Sequence, residues 1–163
     1  MEANITIRNA TSSDAPVVAS LLRKMMTDEM EFSGGYQISS DEKEWNKLNE
    51  VILKNINDEN FIDKIAEEIE GKRSIIGVSE ARMINRAFLL QPTVVLHIHS
   101  LYVDPAYRKK GIGKSLMEAV ISWGTERKCK EVELDVFVNN YAQVLYKKLG
   151  FQPFEIKMVR RIS

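Results

Sequence analysis

An apolar, β-branched run from Val94 to Val103 is followed at once by Asp104-Pro105 and then by Arg108-Lys109-Lys110-Gly111-Ile112-Gly113-Lys114. The run reads as a buried strand, Asp-Pro as a break, and the basic glycine turn as the opening of a helix at Ile112. Glycines at 111 and 113 lack the Cβ that would keep a ligand off the backbone, so successive N–H groups can point at its oxygens. The first turn of the helix leaves further donors free, and the helix dipole adds partial positive charge. Arg108, Lys109, Lys110 and Lys114 supply formal charge at the same place. The arrangement predicts a phosphate or pyrophosphate site.

Two common glycine loops do not fit. A nucleotide-hydrolase loop, G-x-x-x-x-G-K-[ST], ends correctly at Gly113-Lys114-Ser115 but needs a glycine where Arg108 stands. A dinucleotide fingerprint, G-x-G-x-x-G, needs a third glycine where Leu116 stands.

Around this unit the pattern predicts a single α+β (mixed α/β) domain over 1–163: a central mixed, twisted sheet of about six strands flanked by about four helices. Asn4 to Arg8 alternates as a strand, and Ser12-Ser13-Asp14-Ala15-Pro16 opens a helix carrying Val17, Val18, Leu21, Leu22, Met25 and Met26. Gly34-Gly35 breaks the chain; Ser39 to Glu42 fits a capping box ahead of Trp45, Leu48, Ile52 and Ile56. Lys64 to Glu70 and Ser74 to Ile84 read as a hairpin turned at Gly71-Lys72, and Arg86 to Pro92 as a loop. Ile112, Leu116, Met117, Val120, Ile121 and Trp123 give the helix after the turn its apolar face. Glu131 to Val138 is a strand parallel to the central one, reached by a right-handed crossover. Asn140 to Leu149 is a short helix stopped by Gly150, and Phe154 to Ile162 alternates as a last strand.

The 23 basic and 23 acidic residues cancel, so no global field would draw the chain to nucleic acid or an anionic membrane. Cys129 is the single cysteine, which excludes an internal disulfide and a cysteine zinc cluster; it reads as a structural residue near a helix end. With no leader-like start and no long apolar run, a cytoplasmic location is expected.

Both histidines fall in the central strand as His97-Ile98-His99. Strand alternation puts residues 95, 97, 99, 101 and 103 on one face, so the two rings point the same way. Imidazole has the pKa of a general base at neutral pH. No third ligand accompanies the pair, and no metal is expected.

Arg108-Lys109-Lys110-Gly111-Ile112-Gly113, preceded by Leu101-Tyr102-Val103-Asp104-Pro105, resembles the acetyl-CoA-binding motif R-x-x-G-x-G of the Gcn5-related N-acetyltransferases, the GNAT superfamily. Asn139 to Phe151 resembles its second signature, N-x-x-A-x-x-L-Y-x-K-x-G-F, and the order of elements is similar along nearly the whole chain. The superfamily often ends with two strands, for which little chain remains after Gly150.

The resemblance implies an acetyl-CoA-dependent N-acetyltransferase acting by direct attack in a ternary complex. Acetyl-CoA would be held by Leu101, Tyr102 and Val103 on the strand, by Arg108, Lys109, Lys110, Gly111, Ile112, Gly113 and Lys114 in the turn, and by Asn139, Ala142 and Tyr146. Tyr146 would protonate the leaving thiolate. His97 holds the place of the glutamate base of histone acetyltransferases, and His97-Ile98-His99 is similar to the pair in arylalkylamine N-acetyltransferases. The acceptor would lie against 27–45 and 85–93, where Asp28, Glu29, Glu31, Phe32 and Tyr36 suit a cationic amine. A small-molecule amine is the first expectation, a protein N-terminus or lysine the second, and a non-catalytic acetyl-CoA-binding module the third. A homodimer is among the expected assemblies.

Overall fold

The computed structural model describes residues 4–69, 73–86, 89, 91, 93–160 and 162. Its elements are β1 (Ile5–Asn9), α1 (Ala15–Glu29), α2 (Glu42–Ile56), β2 (Phe61–Glu68), β3 (Ser74–Asn85), β4 (Val94–Val103), α3 (Ile112–Glu126), β5 (Glu131–Leu134) and α4 (Gln143–Lys148). The strands lie in the order β1-β2-β3-β4-β5. All neighbours are antiparallel except β4 and β5, which the crossover through α3 makes parallel.

The apolar faces sort onto the two sides of the sheet. Val18, Leu21 and Leu22 of α1 and Ile52 of α2 pack with Ile65, Val78 and Tyr102 on one side. On the other, Met117, Val120 and Trp123 of α3 meet Ile62, Ala81, Leu96 and Ile98, while Ile112 and Leu116 meet Ala66 and Ile76. Gly124 lets α3 lie directly on β4, since a Cβ there would stand 2.7 Å from Leu96 Cδ2. Arg8 joins three elements on the edge: its guanidinium donates to Asp14 at 2.7 and 3.0 Å and to Glu67 at 3.0 and 3.2 Å. That pairing, with the Thr11 N–H and hydroxyl, holds the Asp14 carboxyl well below the usual carboxylate range.

Four expectations change. The cap of α2 is Asp41, whose Oδ1 accepts from Lys43 N–H at 2.9 Å, while Ser39 Oγ accepts from Asp41 N–H. The fifth strand has four residues and stops at Leu134, because pairing with β4 covers only Val95–Ile98. The last strand expected over Phe154 to Ile162 is absent among the described residues: the chain through Arg160 joins no ladder, so the sheet has five strands rather than about six. Within the described residues no strand takes the segment into a ladder, and Phe154, Ile156 and Met158 are 92%, 83% and 89% exposed. The turn at Gly71-Lys72 lies outside the described residues, as do residues 87, 88, 90 and 92 of the loop before β4. The flanking strands do pair antiparallel, from Phe61 opposite Arg82 to Glu68 opposite Ser74.

The fourth change touches the site. Ser100 lies opposite Glu80 and Ile98 opposite Ala81, which leaves His99 as an extra residue in β4. Such a bulge shifts the alternation by one. Leu96 and Ile98 face α3, and so do Leu101 and Val103, while Tyr102 faces α1. His97 and His99 stay together on the α1 side, but residues 101 and 103 do not share their face.

Candidate active site

The turn after β4 is built by short-range contacts. Asp104 Oδ1 accepts from Ala106 N–H at 3.1 Å, Pro105–Tyr107 form one tight helical turn, and Tyr107 donates its hydroxyl to Glu68 at 2.6 Å. Lys109 and Gly111 then both take left-handed backbone, at φ 63° and 82°. For lysine this conformation is strained, a cost that clusters at ligand sites. Ile112 is buried against Ala66 and Leu116 and fixes the start of α3, so the free N–H groups of its first turn face out of the fold.

Arg108 is a tie rather than a loose charge. Its Nε donates to Val103 O at 2.9 Å, Nη1 to the Tyr141 hydroxyl at 2.9 Å and Nη2 to Asp28 Oδ2 at 2.8 Å, and it stands over the Tyr102 ring. It therefore connects the end of β4, the end of α1 and the approach to α4. Lys110 lies over Tyr107, and Lys114 is 3.6 Å from Glu118. What the turn offers a ligand is thus mainly main-chain N–H groups with lysines around them.

Between the turn and the histidines β4 has an open edge. Its pairing with β5 ends at Ile98 opposite Leu134, so past that point Leu101, Tyr102 and Val103 have no strand beside them on the β5 side. α4 borders this gap. Asn140 Oδ1 accepts from Ala142 N–H at 2.8 Å and forms the turn into α4, whereas Asn139 is exposed. Gly113 is where α3 and α4 meet, since a Cβ there would be 3.4 Å from Leu145 Cδ2. Tyr146 is half-buried and packs edge-on against Phe151 at 6.1 Å. Burial, and then the charge of Glu29 at the end of α1, push its phenol up to about 12. Burial also pushes the Glu29 carboxyl up.

The two histidines are close, 4.6 Å between ring centroids, but unlike in chemistry. His97 Nδ1 is 3.2 Å from Glu133 Oε1, and Glu133 accepts from Arg86 at 2.6 Å. A carboxylate so placed orients the ring. His99 stacks on Phe61 at 5.7 Å with no carboxylate in contact. Burial, then His97 and Arg82, pull it down to about 4, although part of its ring remains exposed. Glu133 and Arg86 belong to this site and carry no sequence signal of their own; only the β4–β5 register brings them to His97.

The profile of the Acetyltransferase (GNAT) family matches residues 22–151. The chain belongs to this family. Glucosamine 6-phosphate N-acetyltransferase of Arabidopsis thaliana is 31% identical over 106 residues, covering 65% of this chain and 68% of that one. Spermine/spermidine N(1)-acetyltransferase of Bacillus subtilis is 42% identical over 53 residues, covering 31% and 35%. Several curated relatives are matched over only 33–43% of their own length. Among solved structures, a tetramutant of a Bacillus halodurans protein superposes with a TM-score of 0.80 at 25% identity, over 96% of this chain and 99% of that one.

In this GNAT chain the fold brings together most of the residues singled out above: the turn 108–114, the open edge at 101–103, Ala142 and Tyr146 border one gap. Asp28, expected to meet the acceptor, accepts from Arg108 at 2.8 Å. An open hollow of about 470 Å³ adjoins that arginine through Asp28 and Tyr102, and continues along Lys24 and Asp104; the histidines do not line it. Among the described residues no group of three His, Cys, Asp or Glu side chains is placed to hold a metal, and no helix is long and apolar enough to cross a membrane.

Proposed function

We propose that this protein transfers the acetyl group of acetyl-CoA to a primary amine of a small molecule, by direct attack within a ternary complex. Family membership supports the acyltransferase class and acetyl-CoA as co-substrate. The observation that carries the reading is the gap beside β4, with the main-chain anion turn at one end, His97 and Glu133 at the other, and Tyr146 on its far wall. The phosphates bind at Gly111 to Lys114, and the pantetheine arm runs along Leu101 to Val103. His97 takes one proton from the ammonium, the amine nitrogen attacks the thioester carbon, the C–S bond breaks as Tyr146 gives its proton to sulfur, and the second proton lost by the nitrogen restores the phenol. The relatives named for glucosamine 6-phosphate and spermine support a small-molecule acceptor.

The test is release of free thiol from acetyl-CoA in the presence of amino sugars, polyamines, arylalkylamines and lysine peptides. Release with a small amine supports the proposal; release with peptides alone replaces it with protein acetylation; acetyl-CoA binding without release to any acceptor replaces it with a sensor.

The unlike histidines give a second test. A base acts only when deprotonated, so kcat falls as pH drops through its titration. His99, at about 4, is neutral from pH 5 upward and adds no limb there. His99→Gln is expected to leave the kcat profile above pH 5 unchanged in shape, and His97→Gln to lower kcat about 10²-fold. A His97→Gln variant that keeps the parent kcat would remove that residue from the proton transfer.

We also propose that the segment after Gly150 pairs with β5 of a second copy. Phe154, Ile156 and Met158 are exposed and alternate in sequence with other residues, and Lys157 and Arg160 carry the charge complementary to Glu131, Glu133 and Asp135. Light scattering should give twice the chain mass, falling to one on truncation at residue 152; a monomeric intact chain would overturn the pairing.

A further inference from the structure

Two carboxylates inside the fold take no part in the contacts described so far. Asp63 of β2 and Glu80 of β3 are register partners, and Ser100 of β4 stands opposite Glu80. They are 3% and 6% exposed, and neither Asp63 Oδ1 nor Oδ2 has a hydrogen-bond partner. Both alternate with core residues, Asp63 with Ile65 and Glu80 with Val78, which places them on the α1 side of the sheet with the histidines. A buried acceptor with nothing to accept from is rare in a folded protein and calls for a donor.

The row Asp63–Glu80–Ser100 ends at β4 beside the gap that β5 leaves. Neighbouring strands are about 4.8 Å apart, so Glu80 stands one spacing in from β4 and Asp63 two. The next row along the same face is Phe61, Arg82 and His97, with His99 bulged between the rows. Arg82 is the charged side chain of that second row. The core beside the pair, around Ile65 and Val78, includes Leu48, Ile52 and Ile56 of α2 and Leu22 and Met25 of α1; Glu80 is the charge that acts on Asp63, and Ser100 hydrogen-bonds Glu80.

We propose that Asp63 and Glu80 receive the second, non-reacting ammonium group of a diamine acceptor whose first nitrogen is acetylated at the gap. This rests on the acetyltransferase reading above and names its substrate class. An ammonium has three donors and no acceptor, the complement of the four oxygens here. A spacer of three or four carbons between the nitrogens covers the interval from the open edge to Glu80. Without a ligand, burial and then the charge of Glu80 push the Asp63 carboxyl up to about 8, and burial pushes Glu80 up as well. At pH 7 the empty pair therefore holds a proton, and an arriving ammonium expels it to solvent.

Two measurements test this, one of which needs no turnover. Calorimetric titration of 1,4-diaminobutane into the protein at pH 7, in buffers of different ionisation enthalpy, should show proton release approaching one per diamine bound; Asp63→Asn should release none. In the thiol assay, kcat/KM for 1,4-diaminobutane over that for butylamine should fall at least tenfold in Asp63→Asn and in Glu80→Gln. Both replacements are near-isosteric. Asp63→Asn should also melt higher than the parent above pH 6, because a carboxyl held protonated in the fold loses stability progressively from about pH 4 to pH 8. Equal use of the two amines by the parent protein, an unchanged ratio in the variants, or diamine binding without proton release would overturn the proposal. Failure to acetylate either amine, with proton-releasing diamine binding intact, would strike the acetyltransferase reading and leave the ammonium site standing.

Discussion

Tyr146→Phe is expected to lower kcat about 10²- to 10³-fold and to leave the KM for acetyl-CoA within a few-fold of its starting value. The ring makes the packing contacts, edge-on to Phe151, and phenylalanine keeps them. What is lost is one O–H at the border of the gap. The phenol, near 12, holds its proton through the working range, so no alkaline limb from this group should show below pH 10. Full transfer to a solvated thiolate would be uphill, since a thiol titrates near 8.5. The sulfur leaves, however, inside the same low-dielectric gap that raises the phenol, and burial raises a thiol in the same direction. The O–H therefore meets a base stronger than the free thiolate, at the moment the C–S bond breaks. A hydrogen bond that strengthens in the transition state acts on kcat, not on binding. A variant with more than a third of the parent kcat would show that water or another donor protonates the sulfur. A rise in KM with unchanged kcat would reduce Tyr146 to a wall of the binding site.

The second large effect belongs to Gly111. Its φ of 82° is a conformation in which a β-branched side chain is strongly disfavoured, while a Cβ placed there meets nothing within 4 Å. Gly111→Val is expected to raise the KM for acetyl-CoA about 10- to 100-fold, because about 1–3 kcal/mol of backbone strain drives the turn into a shape whose N–H groups no longer converge. Asparagine tolerates left-handed backbone far better than valine, so Gly111→Asn should lose less than a third of that effect in free energy. KM values for the two variants, with melting temperatures to confirm folding, separate the causes. Equal defects in both would mean that the ligand rejects any Cβ at 111, and that φ is secondary.

What was legible in the chain is what short-range chemistry writes. Pro16 in the first turn of α1, Asp104-Pro105 at the end of β4, Gly111 before α3 and Gly150 after α4 each fix a boundary through their own φ or a local hydrogen bond. The helical spacing of Leu116, Met117, Val120 and Trp123 likewise predicts the face on which α3 packs. What depends on a partner strand was not legible. The bulge at His99 comes from how β4 meets β3, and it breaks the simple alternation that would put 101 and 103 beside the histidines. Glu133 reaches His97 only through the register of β4 with β5. Asp63 and Glu80 did leave a trace, an acid at a buried parity in each of two apolar strands, but their pairing needs the register. The alternation of Phe154, Ile156 and Met158 has strand character with no edge to join within one chain.

The close seat of Gly124 on Leu96 bears on donor binding from a distance. α3 runs from Ile112 to Glu126, so this contact lies about 18 Å along a stiff rod from the helix start, at 1.5 Å per residue. Contact with β4 at Gly124 and burial of Ile112 together set the tilt of that rod. A methyl group at 124 would act as a wedge under one end, swinging the other end and the N–H groups it carries. Gly124→Ala is therefore expected to weaken acetyl-CoA binding by leverage, from about 18 Å along the helix from the turn.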